Sequence, residues 1–187
     1  MMGYAVEGLL AELLRADHEV DPELIQNTPR RVARAWGELL SGYECEDPEE
    51  ILSPLFPAAE SAELVAVTHI PFYSMCAHHL LPFVGEAHIG YVPDASIVGL
   101  SKPVRLVEAF ARRLQIQEQL TAQVAEVFDQ VVRPRGCVVM IEAEHLCMTM
   151  RGCQTHGSRT VTVVRRGLLA DPAHYEAFLQ HVRRNGS

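Results

Sequence analysis

The segment from Cys137 to Thr149, CVVMIEAEHLCMT, constrains this chain more than any other, because it reads as the strongest β-strand and a strand must pair to be stable. Ser158 to Arg165, rich in threonine and valine, is the nearest partner, joined to it by a hairpin across Gly152 to Gly157. Leu64 to Ile70 and Val84 to Val92 alternate apolar and polar positions and add two more strands. The second of these is closed by the turn at Pro93-Asp94.

Helical periodicity fills the remainder. Leu9, Leu10, Leu13 and Leu14 recur at helical spacing. A second helix is expected from Thr28, with Pro29 at its first position and Val32, Ala35, Trp36, Leu39 and Leu40 on one stripe, until Ser41-Gly42 stops it. Trp36 reads as a core or subunit-contact anchor. Asp47 to Pro57 is an acidic, proline-bearing connector with one helical turn. From Ser101, Leu106, Val107, Phe110 and Leu114, then Leu120, Val124, Val127, Phe128 and Val131, predict a helical hairpin or one long bent helix ended by Pro134 and Gly136. Asp171-Pro172 caps a last helix that finishes on Arg183 and Arg184, favourable at its negative end. The expected fold class is α+β, one domain with a mostly antiparallel sheet.

Charge limits the partners. Sixteen basic against 24 acidic residues leave −8, which excludes nonspecific affinity for nucleic acid or a phospholipid surface while leaving small anionic ligands open. With 48% hydrophobic and 21% charged residues the chain is not disordered, and at 187 residues it buries roughly 70% of its unfolded surface. The opening segment carries Glu7 and Glu12 and no basic leader, and no apolar stretch reaches the roughly 18 residues of a membrane span. A cytoplasmic location is expected. There the five cysteines, an odd number, remain reduced and free to hold metal.

Two constellations carry chemistry. In Cys76-Ala77-His78-His79, a helical turn would place Cys76 and His79 on one face, which suits two ligands of one Zn²⁺; packing with hydrogen bonding is the alternative. In Glu144-His145-Leu146-Cys147, strand alternation would place His145 beside Cys147, and burying both without a partner is costly. Together they offer Cys76, His79 and Cys147 as ligands and leave His78 and His145 for proton transfer. Three protein ligands leave zinc an open position, the arrangement of a hydrolytic site, where bound water reaches a pKa of about 7. A structural zinc would need a fourth ligand, for which Cys153 is the nearest candidate. Ser101, Lys102 and Arg105 crowd a helix start and Arg151 follows the ligand strand, which reads as a phosphate pocket or as ordinary surface charge. Gln117-Glu118 has the donors and acceptors to hold a guanine edge, although a solvated helix face is the simpler reading. His69, His88, His156, His174 and His181, with Cys45 and Cys137, are read as structural, His88 as a satisfied core histidine.

Thr28 to Ala33, Cys76 to Phe83, Gly99-Leu100-Ser101-Lys102 with Arg105, Gln117 to Thr121 and Glu144 to Gly152 resemble, in order and spacing, the motifs of GTP cyclohydrolase I. The resemblance covers roughly Asp21 to Arg184. It implies a tunnelling fold (T-fold) with an N-terminal helical pair, residues 1–46, and a catalytic core, residues 47–187. Such subunits assemble into a toroidal homo-oligomer, typically a decamer, with active sites between neighbours. It also implies hydrolysis of GTP at C8 of the guanine ring, with release of formate and formation of 7,8-dihydroneopterin triphosphate, the entry to tetrahydrofolate and pterin synthesis. By the same resemblance Cys76, His79 and Cys147 are zinc ligands, His145 protonates the purine nitrogen and His78 assists proton transfer near the ribose. Ser101, Lys102, Arg105 and Arg151 contact triphosphate, Gln117 and Glu118 clamp guanine, and Leu100 and Ile116 line the base pocket. The sequence departs from the family pattern at Ala77, where glutamate is usual, at Pro103, and at Cys153-Gln154-Thr155-His156. A relative that processes another purine, or stops at the formamide, is the alternative on the same fold.

Overall fold

The structure is a computed structural model that describes residues 2–14, 21–59 and 63–184. Its chain forms two compact units, Met1–Ser41 and Gly42–Ser187.

The first unit pairs α1 (Met2–Leu13) with α2 (Pro22–Leu39). The second helix starts earlier than its sequence suggests. Asp21 accepts the backbone N–H of Glu23 and Pro22 takes the first helical position, so Asp21-Pro22 supplies the start signal that Thr28-Pro29 also carries. Pro29 then sits inside the helix, where it removes one backbone donor. Tyr4, Leu9, Leu13, Leu24 and Ile25 are all exposed, so each helix keeps part of its apolar surface uncovered.

In the second unit the connector holds the expected helical turn at Glu50–Leu52. It continues into a strand that periodicity missed, β1 (Leu55–Pro57), antiparallel to β4 (Ser96–Val98). The main strands are β2 (Val65–Cys76), β3 (Pro82–Val92), β5 (Leu114–Gln115), β6 (Gly136–His145) and β7 (Thr160–Gly167). They lie in the order β5-β2-β3-β6-β7. All neighbours are antiparallel except β5, which runs parallel to the end of β2 through Met75↔Leu114 and Cys76↔Gln115. The expected hairpin or bent helix is therefore two helices, α3 (Ser101–Ala111) and α4 (Gln117–Val132), separated by this short strand. Leu114, which fits the helical stripe, is a strand residue.

Two strand ends matter for function. β2 runs past Ile70, across an irregularity between Val67 and Ile70 where His69 has φ +55°, and carries the chain to Cys76. β6 stops at His145, short of the expected Thr149, and Leu146–Thr149 form a single turn, α5. The cause lies in β3: its ladder with β6 ends at Phe83↔His145, and Pro82, the next residue outward, has no N–H to continue it.

Helices cover both sheet faces. On one, Leu106, Val107, Phe110, Leu120, Val124 and Phe128 of α3 and α4 pack with Phe83, Ala87, Ile89, Tyr91, Val139 and Ile141. On the other, Phe178 and Val182 of α6 (Pro172–Arg184) pack with Val92, Val138, Met140 and Leu169. Asp171 caps α6 by accepting the N–H groups of Ala173 and His174. Among the described residues no helix is long and apolar enough to cross a membrane.

Candidate active site and metal centre

Cys76 ends β2 and His79 stands in the turn to β3. That turn closes like one turn of helix, with Leu80 N–H donating to the Cys76 carbonyl at 2.9 Å and Leu80 itself left-handed at φ +53°. Residues three apart thereby face the same side, and Cys76 Sγ lies 3.9 Å from His79 Nδ1. The third donor arrives from α5. Ligand atoms of Cys76, His79 and Cys147 all lie within 4.8 Å of one another.

Cys147 reaches this position from the first turn after β6, so His145 and Cys147 are not alternating residues of one strand as the sequence suggested. The break in the strand separates their tasks. Cys147 swings toward the thiol of Cys76, while His145 stays in the ladder beside Phe83, its ring stacked on the phenyl ring at 4.6 Å and 4°.

The donor set suits zinc. With bonds of about 2.3 Å to sulfur and 2.0–2.1 Å to nitrogen, tetrahedral geometry needs sulfur and nitrogen about 3.6 Å apart, within a few tenths of an ångström of the observed separation. Without a cation the thiolate form is disfavoured: burial, then the neighbouring Cys76, pushes the Cys147 thiol up. Cys153, the candidate fourth ligand, is exposed and stands outside the cluster, with its Sγ near the Met148 carbonyl and Thr155 Oγ1.

His145 is lowered from the ordinary histidine range chiefly by burial, which Glu118 opposes, so Glu118 lies close enough to act on it electrostatically. Its sequence neighbour behaves differently. Gln117 is only 2% exposed, and its amide is spent inside the chain on Ile141, Thr160, Thr162 and His145. Glu118 is exposed and Ile116 half-buried. Arg151 is exposed and pulls the Cys147 thiol down, which places a cation beside the candidate metal-binding cluster. At the start of α3, Leu100, Ser101 and Arg105 are exposed, and Lys102 Nζ donates to the Ser53 carbonyl at 2.6 Å. His78 is exposed, its ring 6.3 Å from that of His79.

A second histidine cluster, His69, Glu86 and His88, lies on the α6 face, and sequence reading passed over it. His69 Nδ1 meets Glu86 Oε2 at 2.6 Å and its Nε2 meets the Val182 carbonyl of α6 at 2.9 Å. The Val182 carbonyl and an ionised Glu86 only accept, so this setting favours the doubly protonated ring, in keeping with its raised pKa. His88 is buried but only half satisfied, a correction to its expected role: Nδ1 accepts the His69 N–H at 3.1 Å, while Nε2 makes no hydrogen bond and faces Glu142 Oε1 at 3.4 Å. Nδ1 being an acceptor, the neutral ring keeps its hydrogen on Nε2. The cluster thus joins β2, β3 and α6 through His69. The cue was Glu86 and Glu142, which fall opposite each other on β3 and β6 and need a cation nearby.

The family model described as GTP cyclohydrolase I matches residues 5–183. Relatives named GTP cyclohydrolase 1 include one from Wolinella succinogenes, 48% identical over 162 residues, covering 86% of this chain and 86% of that protein. Another, from Streptococcus agalactiae serotype Ia, is 51% identical over 152 residues, 81% of this chain and 80% of that protein. A third, from Brucella anthropi, is 48% identical over 156 residues, 83% of this chain and 73% of that protein. The matched span takes in every element that carries the candidate metal-binding cluster and His145, and the chain therefore belongs to the GTP cyclohydrolase I family.

Proposed function

We propose that this enzyme hydrolyses GTP at C8 of guanine, releasing that carbon as formate and forming 7,8-dihydroneopterin triphosphate, with Zn²⁺ held by Cys76, His79 and Cys147. The observation that carries the proposal is the convergence, within 4.8 Å of one another, of two thiols and an imidazole from segments about seventy residues apart, with Cys76 and His79 near the spacing that tetrahedral zinc needs. Bound there, zinc supplies a Lewis acid and an activated water for attack on an electron-poor ring carbon.

The remaining roles belong to the chain's own groups. His145, whose pKa burial lowers, delivers a proton to the purine nitrogen as the ring opens, and exposed His78 serves proton transfer at the ribose. Glu118, exposed beside His145, accepts from the guanine N–H groups, with Leu100 and Ile116 against the base. Ser101, Lys102, Arg105 and Arg151 bind the triphosphate; Lys102 must exchange the Ser53 carbonyl for phosphate to do so.

Assembly follows from what one chain leaves uncovered. Val161 and Val163 are exposed on β7, an edge strand, and the helical pair carries exposed leucines, surfaces that a further copy would bury. The expected assembly is a toroidal T-fold homo-oligomer, a decamer, with sites shared between neighbours and a cytoplasmic role at the entry to tetrahydrofolate synthesis.

Zinc-replete protein incubated with GTP, assayed for formate and for a fluorescent oxidised pterin, tests the reading. Both products are expected. Neither product from metal-replete oligomer overturns it, and ring-opened product without pterin assigns the chain to the formamide-forming alternative.

A further inference from the structure

We infer that Gln117 is a positioning residue that fixes the tautomer of His145, leaving Nδ1 as the nitrogen that handles the proton. The inference rests on the reading of His145 as the proton-transfer group, and it moves Gln117 from the guanine clamp to the support beneath it.

The amide of Gln117 can be oriented without ambiguity. Its nitrogen lies 3.0 Å from the Ile141 carbonyl of β6 and 3.0 Å from the Thr160 carbonyl of β7. Carbonyl oxygens only accept, so the atom facing both must be the amide nitrogen, and the amide oxygen must point the other way. It points at His145 Nε2, 2.8 Å distant. An amide oxygen also only accepts, so Nε2 carries the hydrogen and the neutral ring has its lone pair on Nδ1.

The hydroxyls behind the amide hold this arrangement. Thr121 donates to the Gln117 backbone carbonyl at 2.8 Å, so its oxygen accepts from Thr162 at 2.6 Å. With its hydrogen so used, Thr162 Oγ1 is left as a third acceptor for the Gln117 amide at 3.1 Å. The donors then run one way, from His145 Nε2 to the Gln117 oxygen, from the Gln117 amide nitrogen to Thr162 of β7, and from Thr162 through Thr121 to the Gln117 backbone carbonyl. The stack on Phe83 fixes the ring plane, and the bond to Gln117 fixes which edge faces inward. Among the described residues Nδ1 makes no hydrogen bond, which leaves it available to a ligand. In the other tautomer the Nε2 lone pair would face the lone pairs of the Gln117 oxygen.

Burial separates this role from that of Glu118. Gln117 is nearly sealed and its hydrogen-bonding capacity is spent, whereas the next residue is exposed. A substrate contact from Gln117 would require breaking bonds to two strands.

The test is a double-variant cycle on the zinc-loaded protein, with formate release from GTP as the readout. Gln117→Met, similar in volume and without the acceptor, is expected to lower kcat by about 10²-fold, the scale of a positioned acid–base group, with KM for GTP near wild type. In an H145A background the same substitution is expected to cost almost nothing, because its effect passes through the missing imidazole. A purely structural role predicts the same factor in both backgrounds, and a substrate contact predicts a raised KM; either overturns the inference. Full activity of H145A would instead overturn the reading of His145 itself. A second measurement is independent of turnover and of how the variants fold: long-range ¹⁵N–¹H spectra of wild-type histidine rings, with His145 assigned by its loss in H145A. A hydrogen on Nε2 is expected, and one on Nδ1 refutes the proposal.

Discussion

A Cβ added at Gly90 of β3 would stand 2.5 Å from Cδ2 and 2.9 Å from Cε2 of Phe178, the fully buried residue by which α6 docks on the sheet. Non-bonded carbons settle at about 3.5–4.0 Å, so Gly90→Ala must push the phenyl ring outward by about 1 Å. Val138 Cγ1, at 3.1 Å from the same point, blocks the easy sideways escape. Overpacking of this kind costs about 1–3 kcal/mol, and removing glycine from a strand returns about 0.5–1 kcal/mol, so the net loss centres on about 1 kcal/mol and reaches at most about 2.5 kcal/mol. For a chain of this size the central value lowers Tm by about 2–4 °C. Phe178→Leu alone costs about 1–3 kcal/mol, and in its presence the alanine at position 90 becomes tolerable. Thermal unfolding of wild type, both single variants and the double variant reads the coupling. A Gly90→Ala protein as stable as wild type, or two penalties that simply add, would refute the close approach of α6 to β3.

Cys147→Ser removes one of three ligands, so bound zinc should fall in metal analysis and formate release should drop by more than the about 10–100-fold that loss of an outer-shell partner costs. Phe83→Leu keeps most of the core apolar but loses the stack on His145 and the edge contact with Phe72. A stability loss of about 1–3 kcal/mol is expected in urea unfolding, together with reduced kcat. The folded pKa of His69 is raised, first by Glu86 and then by the Val182 carbonyl. Its stabilisation is therefore complete below the ordinary histidine value of about 6.5 and is lost as pH rises through the folded value. His69→Gln should flatten that alkaline fall in Tm. Buried His88, whose folded pKa is lowered chiefly by burial, acts in the opposite direction: its contribution is present above about 6.5 and lost as pH falls, and His69→Gln should leave an acid-side loss in place.

What the sequence revealed and what it hid divide along local and non-local causes. Cys76 and His79 were legible because three residues of turn decide their relation, and no other part of the chain is needed to bring them to one side. The end of β6 was hidden because it is set by Pro82 on the neighbouring strand, and a strand cannot announce where its partner runs out of donors. β1, β4 and β5 have three, three and two residues, too few for alternation to register, and they exist through pairing alone. Pro29 misplaced a helix start because Asp21-Pro22 carries the same signal seven residues earlier. The burial of Gln117 was within reach of the pattern: Gln117, Leu120, Thr121 and Val124 fall at i, i+3, i+4 and i+7, the apolar stripe of α4, and two polar residues on such a stripe must find partners. The partners themselves sit on β6 and β7, and only the fold discloses them.

The most direct test titrates Zn²⁺ into metal-free protein while following formate release from GTP. Activity should climb with added zinc and saturate at one ion per chain, and the same titration of Cys147→Ser should give no comparable rise. Activity indifferent to zinc, or a rise that survives the loss of Cys147, would contradict the assignment of this three-donor cluster as the centre of the reaction.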